Sequence, residues 1–63
     1  MMRIFSLLIC DARYRVPTLA LLETDDEQRA IELAKATLER SEFHRAVELR
    51  DAERAIYQRL RIA

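Results

Sequence analysis

The residues of this sequence that could carry out catalysis or bind a metal are few and scattered. The acids gather at one point, where Glu23, Asp25, Asp26 and Glu27 stand close together and Glu32 follows. A carboxylate pair performs acid–base chemistry only when one member is desolvated enough to shift its pKa. This group stands at the start of a helical pattern, where exposed acids suit the helix dipole, and it lacks the glycine of a calcium loop. We interpret it as a helix start.

Cys10 and His44 are the only cysteine and the only histidine of the chain. A nucleophilic thiol needs a neighbouring base and a group that orients the base, but these two residues fall in different predicted elements. One histidine does not make a metal site, and one cysteine cannot form an internal disulfide. Glycine-based phosphate loops are excluded because the chain has no glycine. The sequence therefore predicts no enzyme, no cofactor and no metal, and the lone thiol indicates a reduced, cytoplasmic setting.

Ten of the eleven basic residues are arginine, and eleven acids balance them to zero net charge. A nucleic-acid-binding domain usually concentrates positive charge on one face, so the balance argues against nucleic acid, and no segment approaches the roughly 20 apolar residues that cross a membrane. The excess of arginine in residues 33–63 keeps a nucleic-acid-binding regulator as the alternative. Its candidate contacts are Arg45, Arg50, Arg54, Tyr57 and Arg59.

The elements that must position these residues begin with two apolar runs. Residues 3–10 form a short apolar segment that ends in a polar stretch, which is typical of a strand. Residues 16–23 predict a second strand, with Pro17 at its start because proline cannot donate to a ladder. The two runs together predict a hairpin.

A helix is predicted over about residues 25–40. Thr24 and Glu27 match a capping box, in which the threonine hydroxyl accepts from the glutamate amide. Residues with helical spacing form one stripe, consisting of Ala30, Ile31, Leu33, Ala34, Thr37 and Leu38. Such a helix is about 24 Å long and a strand of seven or eight residues is about 25 Å, so one helix can cover one face of a sheet.

The last third of the chain is compatible with two structures. Residues 45–50 and 54–60 alternate as two strands joined by a turn at 51–54, with Ile56 and Leu60 on one side and Tyr57 on the side away from the helix. The same region is rich in helix formers. The pattern by itself favours hairpin and helix equally.

The order of these pieces resembles a group of very short, uncharacterised bacterial proteins that are common in alphaproteobacteria. The matching pieces are residues 5–13, the Thr24–Glu27 start with its alanine-rich helix, and residues 47–57. The resemblance implies a single α+β domain over residues 1–63, an antiparallel ββαββ sheet with one helix on one face. Where those proteins carry tryptophan and glycine, this chain has Arg50 and Ala52. The resemblance implies no activity and no functional residues.

The first hairpin is apolar on both sides, and this feature predicts a partner. A lone helix covers one sheet face, whereas an antiparallel sheet with a solvated face should alternate apolar and polar residues. An exposed apolar face usually marks an interaction site. We therefore expect a small non-enzymatic interaction module that forms a homodimer through this face. The alternative within one chain is that the C-terminal segment covers the face. An unidentified protein is a further candidate partner. The candidate surface is Phe5, Leu7, Ile9, Leu19 and Leu21, or the opposite face of Ile4, Leu8 and Leu22.

Overall fold

The computed structural model describes residues 2–52 and 54–61, which form one antiparallel sheet and one helix. The elements are β1 (Arg3–Asp11), β2 (Thr18–Thr24), α1 (Glu27–Arg40), β3 (His44–Asp51) and β4 (Arg54–Leu60). This is the predicted ββαββ fold, and the element bounds differ from the predicted ones by at most two residues. The hairpin alternative for residues 45–60 is confirmed, and the helical one is wrong.

The strands lie in the order β2-β1-β3-β4, so β1 and β3 are central and β2 and β4 are the edges. Because β1 pairs antiparallel with both of its neighbours, β2 and β3 run parallel on either side of it. The helix is the crossover between these two strands. It packs mainly over β3, which places the hydrophobic core on one face of the sheet.

The core lies between α1 and the two central strands. The helix contributes three small or medium residues four positions apart, which share one stripe because side chains at i and i+4 lie on the same helix face. Two of the three are alanines, so the helix backbone lies close to the sheet. The buried apolar residues are Phe5, Leu7, Ile9, Ala30, Ala34, Leu38, Val47 and Leu49.

The helix start differs from the predicted capping box. Thr24 stays in β2, opposite Arg3, and is buried. Asp26 is the N-cap instead, and its carboxylate accepts from the Gln28 amide at 2.9 Å. The Glu27 carboxylate lies 4.0 Å from the Arg3 guanidinium rather than reaching back to Thr24. Because strand pairing holds Thr24 in β2, Asp26 caps the helix instead.

The helix end is stabilised by a residue from the far end of the chain. Ser41 is the C-cap, and the chain has no glycine to close the last turn. The Arg61 guanidinium donates to the carbonyl oxygens of Leu38, Ser41 and His44, at 2.9 Å to Ser41 and 2.7 Å to His44. The bond to Leu38 satisfies a carbonyl of the kind that a helix end leaves without a partner, while the Ser41 carbonyl also accepts from the His44 amide at 3.1 Å.

The second hairpin contains a bulge that sets which side chains face the helix. The register of β3 with β4 shifts between Leu49 and Arg50, and Ile56 is the extra residue. Tyr57 lies opposite the buried Leu49 and therefore on the helix side, where the Lys35 ammonium is 5.8 Å from its ring centroid. The prediction that Tyr57 faces away from the helix is wrong, because the bulge breaks the simple alternation.

The turn between β3 and β4 holds Ala52 in the left-handed region, with φ of 56°. Glu53, which shares the predicted turn, lies outside the described residues. A Cβ atom makes the left-handed conformation unfavourable by roughly 1–2 kcal/mol, and glycine avoids this cost. The chain therefore carries backbone strain at Ala52.

We expect Ala52→Gly to stabilise the fold by about 1 kcal/mol, because it relieves the left-handed strain at a small entropic cost. For a domain of this size the melting temperature should rise by about 4–8 °C. Thermal unfolding followed by circular dichroism measures the change. Ala36→Gly, at an exposed helix position, is the control and should destabilise by up to about 1 kcal/mol. A decrease in stability for Ala52→Gly would contradict the assignment of strain.

Candidate self-association surface

The sheet face opposite the helix is not covered by any described element. The register assigns its members: Leu8 lies opposite Leu19 on one side and Glu48 on the other, and Glu48 lies opposite Gln58. We call this surface the open face. Its residues are Ile4, Ser6, Leu8, Cys10, Leu19, Leu21, Glu23, Ala46, Glu48, Arg50, Ala55, Gln58 and Leu60.

Large apolar side chains of the open face are exposed to solvent. Ile4 and Leu19 are each 60% exposed, Leu21 is 66% exposed and Leu60 is 75% exposed. The first three gather with the half-buried Leu8 over β1 and β2. Within the described residues, the C-terminal segment forms the edge strand β4 of the same sheet instead of folding across this cluster, so the single-chain alternative is wrong.

The predicted surfaces combined residues from the two sheet faces, and the register corrects both groupings. Phe5 pairs with Leu22 and Leu7 with Ala20. Phe5, Leu7 and Ile9 are core residues under the helix, and Leu22 packs against them. Leu19 and Leu21 lie instead with Ile4 and Leu8 on the open face. Both faces of the hairpin are apolar, so composition could not assign the pairing.

A shallow groove of about 450 Å³ runs along the β3–β4 side of the open face, and most of its lining is apolar. Leu8, Cys10, Pro17, Ala46 and Leu60 supply the apolar walls. The register places Cys10 opposite Ala46, and Ala46 opposite Leu60. The groove forms because Cys10 and Ala46 have small side chains. It is a recess that an apolar side chain could fill.

Three polar residues of the open face, Glu48, Arg50 and Gln58, are bonded to one another. The Arg50 guanidinium donates to one Glu48 carboxylate oxygen, and the Gln58 amide nitrogen donates to the other at 3.1 Å. The hydrogen bond from Arg50, followed by that from Gln58, lowers the pKa of the Glu48 carboxyl. Because charge-assisted hydrogen bonds already satisfy this network, a partner can cover it without supplying new polar groups.

The helix side of the sheet carries a separate ionic cluster at the end of β1. The Asp11 carboxylate is buried and accepts from the Arg13 side chain at 2.8 and 3.0 Å and from the Arg13 amide at 2.8 Å. The His44 Nε2 atom lies 3.8 Å from Asp11, and its Nδ1 atom is 2.6 Å from the Thr37 carbonyl oxygen. The Arg13 guanidinium is 4.6 Å from the Phe43 ring centroid. These contacts join the first loop to the start of β3.

The Asp11 cluster predicts a loss of stability in acid. Hydrogen bonds from the Arg13 side chain lower the pKa of the Asp11 carboxyl from 3.8 to about 2. The folded state therefore favours the ionised form, and its contribution to stability is complete above the unfolded pKa and is lost as pH falls from about 4 through 2. Urea unfolding at a series of pH values should show a shallower pH dependence for Asp11→Asn than for the wild type.

The control for this experiment is Asp25→Asn, which removes an exposed carboxylate near the helix start. It should keep the acid dependence of the wild type between pH 4 and 2. Equal slopes for Asp11→Asn and the wild type over that interval would show that the Arg13 contacts do not stabilise the ionised carboxylate in the fold.

The cluster and the thiol do not combine into a catalytic pair. Cys10 is exposed on the open face, whereas His44 lies on the helix side with its ring against the Thr37 carbonyl and Asp11. Among the described residues no group of three or more histidine, cysteine or acidic side chains could hold a metal ion. Over the same residues, no helix combines the length and apolarity that crossing a bilayer requires.

The five candidate nucleic-acid contacts are distributed over both faces. Arg50 lies on the open face with Glu48, while Tyr57 and Arg59 lie opposite the buried Leu49 and Val47 on the helix side. Arg54 stands at the turn, and Arg45 is the residue skipped where the β1–β3 register shifts. The fold does not place the five on one surface, and nucleic-acid binding stays a prediction.

The residue that sequence reasoning missed is Arg61, whose side chain holds the helix end. No local signal identifies it, since its partners lie at least 17 positions earlier in the chain. Comparison with known proteins gave no match to a family model, to a curated protein or to a solved structure. The resemblance to short alphaproteobacterial proteins therefore stays a prediction.

Proposed function

We propose that this protein is a small non-enzymatic interaction module that self-associates, with the open face of one chain covering the open face of a second. The observation that supports this most directly is the apolar cluster of Ile4, Leu8, Leu19 and Leu21 over β1 and the edge strand β2, of which Ile4, Leu19 and Leu21 are exposed. Contiguous apolar patches on single-chain proteins are small, and larger ones usually mark interaction sites.

The size of the open face lies close to the lower bound for a specific contact. Four strands about 4.8 Å apart and about seven residues long give a face of roughly 450 Å² in plan. Two such faces, with the relief of their side chains, approach the roughly 1,000 Å² that separates specific interfaces from incidental contacts. A second copy offers a sheet face of matching width and length.

Charge also favours a second copy over a nucleic acid. The open face carries Glu23, Glu48 and Arg50, and Arg50 is already bonded to Glu48. A phosphate backbone requires uncompensated positive charge, whereas an apolar partner face requires none. The open face carries the exposed Leu19 and Leu21 on β2, and a groove over β3 and β4. A two-fold axis places the leucines of each chain over the groove of the other.

The proposal is tested by the mass in solution together with the reactivity of Cys10. Sedimentation from 5 to 500 µM should show a rise from the 7.4 kDa single chain towards at least two chains. Cys10 lies in the groove and is exposed in the single chain, so its alkylation by iodoacetamide should slow as concentration rises. A constant alkylation rate over this range would rule out covering of the open face.

A further inference from the structure

The two edge strands differ in how they are protected from pairing with another chain. β4 carries Arg54, Arg59 and the bulge at Ile56, which are features that discourage edge-to-edge pairing. β2 has no bulge in its pairing with β1, no proline within Thr18–Thr24, and Glu23 as its single charged residue. An exposed, flat, apolar edge strand is a template for strand addition.

We infer that β2 pairs antiparallel with β2 of a second copy, which extends the sheet from four to eight strands. A two-fold axis at Leu21 places Leu21 opposite its own counterpart and Leu19 opposite Glu23 of the other chain. This register places no like charges directly opposite each other. Opposed like charges would destabilise an antiparallel pair. The exposed Leu19 and Leu21 side chains of both chains form one apolar band across the junction.

This contact differs from the proposed face-to-face contact, because its hydrogen bonds come from backbone groups at the free edge of β2. Its two-fold axis is perpendicular to the sheet, while the axis of the face-to-face contact lies parallel to the sheet. Because the two contacts use different parts of the chain, both can form at once only in an assembly of more than two chains.

Backbone amide exchange tests the edge contact. In a strand at a sheet edge, about half of the amides point away from the neighbouring strand and exchange with solvent. At 500 µM these amides of residues 18–24 should exchange at least tenfold more slowly than at 20 µM, as measured by NMR on the full chain. Exchange that is independent of concentration would overturn the inference, as would protection that appears only when another protein is added.

A pair of charge variants tests the register. Leu19→Glu places a glutamate opposite Glu23 of the other chain twice, whereas Leu19→Lys places a lysine there twice. Both variants remove the same apolar side chain from the open face, so loss of face-to-face contact affects them alike. We expect about tenfold weaker edge association for Leu19→Glu than for Leu19→Lys, with concentration-dependent β2 amide exchange as the readout.

The double variant Leu19→Glu with Glu23→Lys restores opposite charges and should restore edge association to the level of Leu19→Lys. Circular dichroism at low concentration confirms that each variant is folded. Equal association of the two single variants, or no recovery in the double variant, would overturn the register. Alkylation of Cys10 in the same samples reports the face-to-face contact separately, so failure of one contact is distinguished from failure of the other.

Discussion

Leu8→Lys is expected to give a folded protein that no longer self-associates through the open face, whereas Leu7→Lys, one residue earlier, is expected to unfold the chain. The two leucines are neighbours on β1 but face opposite sides of the sheet. Leu7 is 1% exposed in the core, while Leu8 is half-buried beside Leu19 on the open face. The same substitution therefore tests two different surfaces.

The physical cost differs greatly between the two sites. An ammonium group forced into the core without a partner costs several kcal/mol, which is comparable to the whole stability of about 3–9 kcal/mol expected for a chain of this length. On the open face, the lysine lies opposite Glu48 and remains in contact with water. Covering that ammonium with a second apolar face would weaken face-to-face association by at least about a hundredfold.

Far-UV circular dichroism and sedimentation separate these outcomes. Leu8→Lys should keep the wild-type spectrum, and Cys10 should be alkylated at a rate that does not depend on concentration. Leu7→Lys should lose the spectrum of the folded sheet and helix. If Leu8→Lys associated as tightly as the wild type through a contact that protects Cys10, the open face would not be the interface.

The elements of this fold could be predicted because local signals define them. The apolar runs at residues 3–10 and 16–23 differ in length and spacing from the helical stripe that follows. Polar segments separate them, and pairing then requires only short connections. The residue pattern left the last third of the chain open between hairpin and helix. The structure shows the hairpin, in which Val47 and Leu49 complete the core.

The faces of the first hairpin could not be predicted, because register is fixed by the connection rather than by composition. Both sides of β1 and β2 are apolar, so a shift of one residue would leave each side equally hydrophobic. The six residues between the strands place Leu8 opposite Leu19 and Phe5 opposite Leu22. The candidate surface was consequently divided between the core and the open face.

The side-chain contacts that close the ends of elements were also beyond a local pattern. Thr24 has the right spacing for a cap but is held in β2 by its pairing with Arg3. Asp26 is the N-cap, although nothing in the sequence separates it from the neighbouring acidic residues. Tyr57 follows the bulge at Ile56 rather than strict alternation. In each case strand pairing overrides a signal that only near neighbours produce.

Arg61→Ala is expected to destabilise the fold by about 2 kcal/mol, which lowers the melting temperature by about 10 °C for a domain of this size. The guanidinium donates to three backbone carbonyls at the helix end and the start of β3. Charged donors make the stronger hydrogen bonds, and carbonyls left without partners add their own cost. Thermal unfolding by circular dichroism measures the loss.

Two variants separate geometry from charge at this position. Arg59→Ala removes an equal charge from an exposed side chain of the same segment and should change the melting temperature by at most about 2 °C. Arg61→Lys keeps the charge but lacks the planar fork that reaches several carbonyls, so it should recover less than half of the loss. A melting temperature for Arg61→Ala equal to that of Arg59→Ala would show that the helix end does not depend on these bonds. The expected result would also place Arg61 in the fold rather than on a binding surface, since its donors are already bonded within the chain.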